Sequence, residues 1–454
     1  MVTCRTMRVI VVVLAAVVGV VYGAHCHGQP NPNAPQNLLP VNTGEPELVA
    51  THANGKLFRA GTSEGSFYVL HLWGTPYECG VAQGTLLKDE VKAFVNGVYA
   101  YIEDQIDLAL NSTKPGHYVP HWLLNDIAEF GIDAALDLEI AATRPWTPAY
   151  FLEEIKGLAD ATGLSYLAIE RVHLLGELTK GGCSLLSAYD SAITSEYSLL
   201  GVRALDWNTD AVFVDHAQVT VYHPSGDWGK QGPGHAFANV GFSGFIGSFN
   251  GVSAANTYSQ EIGVTFPDET FGKESRFGIP FTYLLRDLIQ FDETIEQAET
   301  RVRDAKRTCD LILGFGHLGD SDGEPFRAIQ YSASVANFFN STTLMPLTSW
   351  HPRMEDLVYY EGDWLCEQGD VVMHRQLAYA HGELSPELVI KNITSVVATG
   401  DTFTSVYGFR HDGQHALYQA FARSSSESGP DPAYLRQFTK LDLADLWAEA
   451  KPTL

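Results

Sequence analysis

The sequence predicts an α+β fold in which two antiparallel sheets carry helices on their outer faces, and three observations lead there. Apolar residues recur at helical spacing through most of the region before Cys183. Short β-type runs separated by Gly, Pro and Asp dominate after it. A helical block over 280–306 interrupts those runs, so strands come in two groups with helices between them.

Taken in chain order, residues 1–24 carry Arg5 and Arg8, then the apolar run Val9 to Val21, then Gly23 and Ala24. That is the layout of a secretory signal peptide, and the run is short for a membrane anchor. Residues 25–64 read as an N-terminal tether, with four prolines between Gly28 and Pro40. Ser66 to Trp73 alternates as a strand and runs into a glycine-rich turn, after which Leu87, Val91, Phe94, Val95 and Val98 mark a helix. Further helices are expected over 122–142, 148–162 and 165–178, which makes 65–182 a mostly helical region. The remainder, 183–454, should hold the sheets, with strands at 183–189, 198–206, 217–222, 236–242, 251–256, 310–315, 326–332, 405–409 and 416–422. Its helices are expected at 280–290 and 293–306.

Composition narrows the function. With 29 basic and 54 acidic residues the net charge is −25, and loss of Arg5 and Arg8 with the leader takes it to −27. Bulk attraction to nucleic acid or to anionic lipid is excluded as a binding principle. Sequons at Asn111, Asn340 and Asn392, together with the leader, predict glycosylation and passage through the secretory pathway to the lysosome or the exterior. Five cysteines remain once Cys4 leaves, and two disulfides plus one working thiol is the simplest arithmetic.

Chemistry gathers at Gly181-Gly182-Cys183-Ser184, where a helix gives way to a strand. A thiolate nucleophile needs a nearby base. Cleavage between Gly182 and Cys183 would supply one on the same residue, because an α-amine titrates close to neutrality. Arg203 and Asp206 lie at the end of the next predicted strand, so antiparallel pairing returns both to Cys183. Strict alternation would put the two on opposite faces, and Asp206 is therefore expected past the strand end or at a bulge. On spacing alone a surface ion pair of little consequence fits equally well.

The motifs Gly74-x-Pro76-Tyr77-Glu78-x-Gly80-x3-Gly84, Gly182-Cys183-Ser184 and Arg203-x2-Asp206-Trp207, in that order, resemble the penicillin acyltransferase and choloylglycine hydrolase superfamily of N-terminal-nucleophile (Ntn) hydrolases. Val219 to Pro224 and His235 to Gly247 are most similar to its acid ceramidase-like branch. The resemblance implies a four-layer αββα sandwich and self-cleavage into an α-chain ending at Gly182 and a β-chain starting at Cys183, the two remaining associated. It implies that Arg203 favours the thiolate and orients substrate, that Asp206 holds the α-amine, and that Asn256 is an oxyanion donor. A late family arginine is matched to Arg375, and a second family asparagine is replaced in Thr348-Ser-Trp-His351.

The function so implied is a cysteine amidase acting on linear amides. An N-acyl lipid such as ceramide is the favoured substrate, reached through transient contact with a membrane or a lipid-presenting partner. Acyl transfer, bile-salt or penicillin-type amides, and a non-catalytic binding protein on the same fold are the alternatives. A papain-like protease is disfavoured, because no helix follows Cys183. Gly314-x-Gly316-x2-Gly319 satisfies a dinucleotide pattern, but the Asp-rich turn after it starts no helix, so a hairpin is expected. That turn lacks the remaining ligands of a calcium loop, and His351, His374 and His381 lack zinc spacing. No metal or cofactor is predicted.

Overall fold

The structure, a computed structural model, describes residues 35–62, 65–111, 126–127, 129–178, 182–207, 211–319, 324–424 and 431–453. The predicted leader and most of the Pro-rich tether lie outside these residues, as do Cys26 and the Asn111 side chain.

Sixteen strands form two sheets among the described residues. The first holds ten, in the order β1(Glu47–His52), β2(Gly55–Ala60), β3(Phe67–Gly74), β6(Ala217–Pro224), β7(Phe237–Phe242), β8(Asn250–Ser253), β9(Thr257–Gly263), β10(Leu311–His317), β11(Phe326–Tyr331), β12(Ala336–Phe339). The second holds six, in the order β13(Leu357–Gly362), β4(Gly182–Tyr189), β5(Tyr197–Asp206), β14(Phe403–Arg410), β15(Ala416–Phe421), β16(Thr439–Asp442). All pairings are antiparallel except β3 with β6, which run parallel from Tyr68↔Gln218 to Gly74↔Pro224. That single parallel pair sits in otherwise antiparallel sheets, and the long excursion between the two strands, through helices and the β4–β5 hairpin, is what makes a parallel crossover possible.

The sheets face each other across a core of buried side chains. Tyr258 on β9 donates its hydroxyl to Ser187 on β4 at 2.8 Å, and Asn250 on β8 donates to Ser405 and Tyr407 on β14 at 2.9 and 2.6 Å. Helices cover the outside of each sheet. Gly251 lets the Phe281–Phe291 helix lie directly on β8, since a Cβ there would stand 2.5 Å from Ile289. On the six-stranded sheet the Glu367–Ala380 helix docks through Asp370, whose carboxylate accepts from the Glu361 amide of β13 at 3.1 Å. The layers thus run helix, sheet, sheet, helix, as expected.

Two features of the N-terminal half explain its motif. Thr75 and Glu78 form a capping box that starts the Pro76–Leu86 helix, offsetting two of its unpaired amides. Gly80 then presses that helix against the Ala149–Thr162 helix, where a Cβ would meet the Glu154 carbonyl at 2.1 Å. The stretch read as a tether contains β1 and β2, whose mixed polarity suits strands at the end of a sheet rather than a clean alternation. The Gly314 motif lies on β10, which pairs antiparallel with β11, so the hairpin reading holds.

Candidate active site

Cys183 is the second residue of β4, and its strand pairs in register with β5: Gly182↔Asp206, Cys183↔Leu205, Ser184↔Ala204, Leu185↔Arg203. Residues directly opposite share a face, so Cys183 and Arg203 point into the space between the sheets. Ser184 and Asp206 point to the helix side. Asp206 is the last residue of β5 and keeps the strand's alternation, which corrects the expected bulge.

The Arg203 guanidinium Nη2 lies 3.2 Å from Cys183 Sγ and 2.5 Å from Glu261 Oε1 on β9. All three side chains are buried. Burial pushes the Cys183 thiol well above its usual range. Arg203 pulls it down, while Glu261 and Asp206 push it up and the Asp206 backbone amide lowers it. Burial likewise raises the Glu261 carboxyl, with Arg203 holding it back. Arg203 Nε and Nη1 make no hydrogen bond. A guanidinium with one nitrogen engaged and two aimed into the core is a ready donor for a carbonyl oxygen.

Asp206 is gripped on the other face. Its Oδ2 accepts from the Thr399 hydroxyl at 2.7 Å, and its Oδ1 accepts from the Gly400 and Asp401 amides at 2.6 and 2.9 Å. Burial raises this carboxyl and these three donors lower it. Trp207 follows, its backbone amide donating to Asp401 Oδ1 at 3.0 Å and its indole to Tyr101 at 2.7 Å. Because Leu205 O and Trp207 N both face Thr402, the Asp206 amide between them faces β4.

Neither Asn256 nor Arg375 joins this group. β8 ends at Ser253, so Asn256 sits in the β8–β9 turn at φ 59°, and its place on the chain is five residues from Glu261, roughly 16 Å along a strand. Tyr258 already reaches Ser187, four residues up β4 from the sulfur, so Asn256 lies farther still. Arg375 is exposed on the Glu367–Ala380 helix, whose Met373 and Leu377 face inward instead. His351 is buried between the Pro346 and Tyr359 carbonyls, at 2.7 and 2.8 Å, where it holds its loop to β13.

Cysteine arithmetic also needs revision. Cys79, Cys183 and Cys309 are all buried and outside any disulfide, while Cys366 is disulfide-bonded. Two disulfides with one spare thiol is therefore not the arrangement, and position rather than pairing distinguishes Cys183. Of the two other thiols, Cys79 is pushed far up by burial and by Glu154, a setting that keeps it inert. Of the predicted sequons, Asn340 and Asn392 are half-buried, and Asn392 accepts from Gln36 at 2.8 Å. No group of His, Cys, Asp and Glu among the described residues could hold a metal ion.

Sequence reasoning missed Glu261 and Thr399. Both act across layers or from a distant loop, and Glu261 lies in a strand already rich in polar residues, Thr257, Ser259 and Gln260, so nothing local marks it out.

No family model matches the chain. Among solved structures it is similar to a Caenorhabditis elegans N-acylethanolamine-hydrolyzing acid amidase ortholog, with 13% identity, 49% of this chain and 92% of that one covered, and a TM-score of 0.35. It is similar also to penicillin V acylase from Agrobacterium tumefaciens, with 13% identity, 59% and 89% covered, and a TM-score of 0.37. Both likenesses are too remote to say what this chain does. Protein dcd1A of Dictyostelium discoideum is 33% identical over 435 residues, covering 92% of this chain and 93% of that protein. Protein dcd1B of the same organism is 31% identical over 425 residues, covering 91% and 81%. Identity at that level along nearly the whole length means that this chain belongs to the family of the dcd1A and dcd1B proteins.

Proposed function

We propose that the chain is an Ntn-type cysteine amidase of the acid ceramidase-like kind that cleaves itself between Gly182 and Cys183 and then acts on linear N-acyl amides. The observation that carries this reading is the Arg203 nitrogen 3.2 Å from Cys183 Sγ, at a strand start whose preceding residue, Gly182, lies opposite Asp206. Before any cut the Cys183 nitrogen is a peptide amide within β4. In that state the buried thiol has no amine beside it and stays protonated.

Self-cleavage begins when Sγ adds to the Gly182 carbonyl carbon. The carbon–nitrogen bond breaks, the thiol proton ends on the Cys183 nitrogen, and a thioester links Gly182 to the sulfur. Water hydrolyses that thioester, leaving a Gly182 carboxylate and a free thiol beside a new α-amine. In turnover the same sulfur attacks an amide substrate, the α-amine passes the proton to the leaving nitrogen, and water resolves the acyl thioester. Arg203 stabilises the thiolate and offers its unpaired Nε and Nη1 toward developing oxyanion charge. Asp206 holds the α-amine.

The two pieces stay joined in this scheme, because β3 from the first pairs with β6 from the second over seven residue positions inside one sheet. An N-acyl lipid is the favoured substrate class, and the leader and sequons favour a lysosomal or secreted site of action. The test is denaturing electrophoresis with N-terminal sequencing of protein held at acidic pH. A new terminus at Cys183, absent in Cys183→Ala, is expected. An uncut parental chain unreactive to thiol reagents would sink the reading. A screen of N-acyl amides against the cut form then identifies the substrate.

A further inference from the structure

The loop that grips Asp206 is built for that purpose. Four non-glycine residues among those described have positive φ, and three of them are Asp or Asn, which tolerate it. The exception is Ala398, at φ 58° and ψ 46°, an unfavourable conformation for alanine that the fold nonetheless imposes. Gly400 follows at φ 89°, where a Cβ would stand 1.9 Å from Thr404 Oγ1. Between them Thr399 is anchored by its amide on the Thr394 carbonyl at 3.1 Å. This irregular backbone turns one hydroxyl and two amides onto a single carboxylate.

The hydroxyl is directional. A threonine has one O–H proton, and Thr399 gives it to Asp206 Oδ2, so its 2.6 Å contact with Ser184 Oγ must have Ser184 as donor. The chain therefore runs from the residue after the nucleophile, through Thr399, to Asp206. Ser184 makes β4 part of this network on the helix side, at the strand start where Cys183 faces the opposite way.

We propose that Thr399 is a positioning residue, coupling Ser184 to Asp206 so that the Asp206 carboxylate is held on the Cys183 nitrogen during both self-cleavage and turnover. The proposal rests on the amidase reading above. Without the hydroxyl, Asp206 keeps its two backbone donors but is free to turn about them, and it loses one of the groups that favour its charged form. The other ionisable groups acting on it are Arg203, Asp401, Cys183, Glu361 and Tyr434.

The experiment compares Thr399→Val and Thr399→Ser with the parental full-length chain. It follows the appearance of the Cys183 terminus and then the pH profile of amide hydrolysis by the cut form. Thr399→Val is expected to slow self-cleavage by about tenfold or more, the worth of a hydrogen bond to a charged group. It should also move the acid limb of the profile to higher pH, while Thr399→Ser restores both. An unchanged thermal midpoint in Thr399→Ser shows that the rescue is read on folded protein. A Thr399→Val chain that cuts at the parental rate with the same acid limb overturns the proposal, and so does a Thr399→Ser chain as slow as the valine variant. A parental chain that stays whole sinks the amidase reading, and this proposal with it.

Discussion

Arg203 Nη2 stands 3.2 Å from Cys183 Sγ while the same nitrogen is held by Glu261, so one cation serves a buried thiol and a buried counter-ion together. Replacing Arg203 by Gln should slow alkylation of Cys183 in the cut form by tenfold or more, roughly the effect of losing an adjacent opposite charge. Stability should fall by about 3–5 kcal/mol as well, because Glu261 is left buried and unpaired. Pairing the change with Glu261→Gln separates the two effects. The double variant is expected to regain most of the stability, measured by chemical denaturation, without regaining the thiol reactivity.

Glu261 acts on the sulfur in the opposite sense, raising its proton affinity. In Glu261→Gln the repulsion on the thiolate is removed while Arg203 remains. The pH at which Cys183 reacts half-maximally with iodoacetamide should therefore move down, by about one unit. A profile that stays put, or moves up, would mean that Glu261 serves only to orient Arg203.

How much of this was legible depended on distance along the chain. Cys183, Arg203 and Asp206 belong to one hairpin, so antiparallel return brings both residues back toward Cys183 from sequence alone, although Asp206 keeps the strand's alternation and takes no bulge. Glu261 is 58 residues from Arg203 and on the other sheet, a contact that no local pattern encodes. Thr399 reaches Asp206 through a turn with a left-handed alanine, which propensity argues against. Asn256 failed for a local reason. β8 stops three residues early, and a turn asparagine looks like a strand-end donor when the strand length is misjudged. β13 was not anticipated, although Leu357–Gly362 is rich in β-formers, because the loop before it offers no alternating lead-in.

Asn256 and Arg375 supply a negative control. Asn256→Gly keeps the positive φ that the turn requires, and Arg375→Ala removes only an exposed side chain. Both variants should cut and turn over within about twofold of the parental protein, since surface changes without special contacts stay near 0.5 kcal/mol. Asn256→Ala, by contrast, should lose about 1 kcal/mol of stability to backbone strain while keeping its activity. A loss of turnover in Asn256→Gly would return that residue to the site.

The fold should be more stable in acid than at neutral pH. Burial, reinforced by Glu177, raises Glu139 to about 8, and burial raises Asp287 and Asp401 each to about 7. Glu361 and Asp370 are pushed well up by burial, each with one oxygen that has no hydrogen bond. A carboxyl whose folded pKa exceeds its unfolded value binds its proton more tightly in the folded state. Its contribution is intact below the unfolded value of about 4 and is lost as pH rises toward the folded one, at about 1.4 kcal/mol for each pH unit that separates the two values. The window set by these groups runs from about pH 4 to pH 8. Thermal denaturation should therefore give a higher midpoint at pH 5 than at pH 8, and Glu361→Gln, which cannot ionise, should flatten the slope. A midpoint that climbs from pH 5 to pH 8 would mean that these carboxyls are ionised and paired in the native protein.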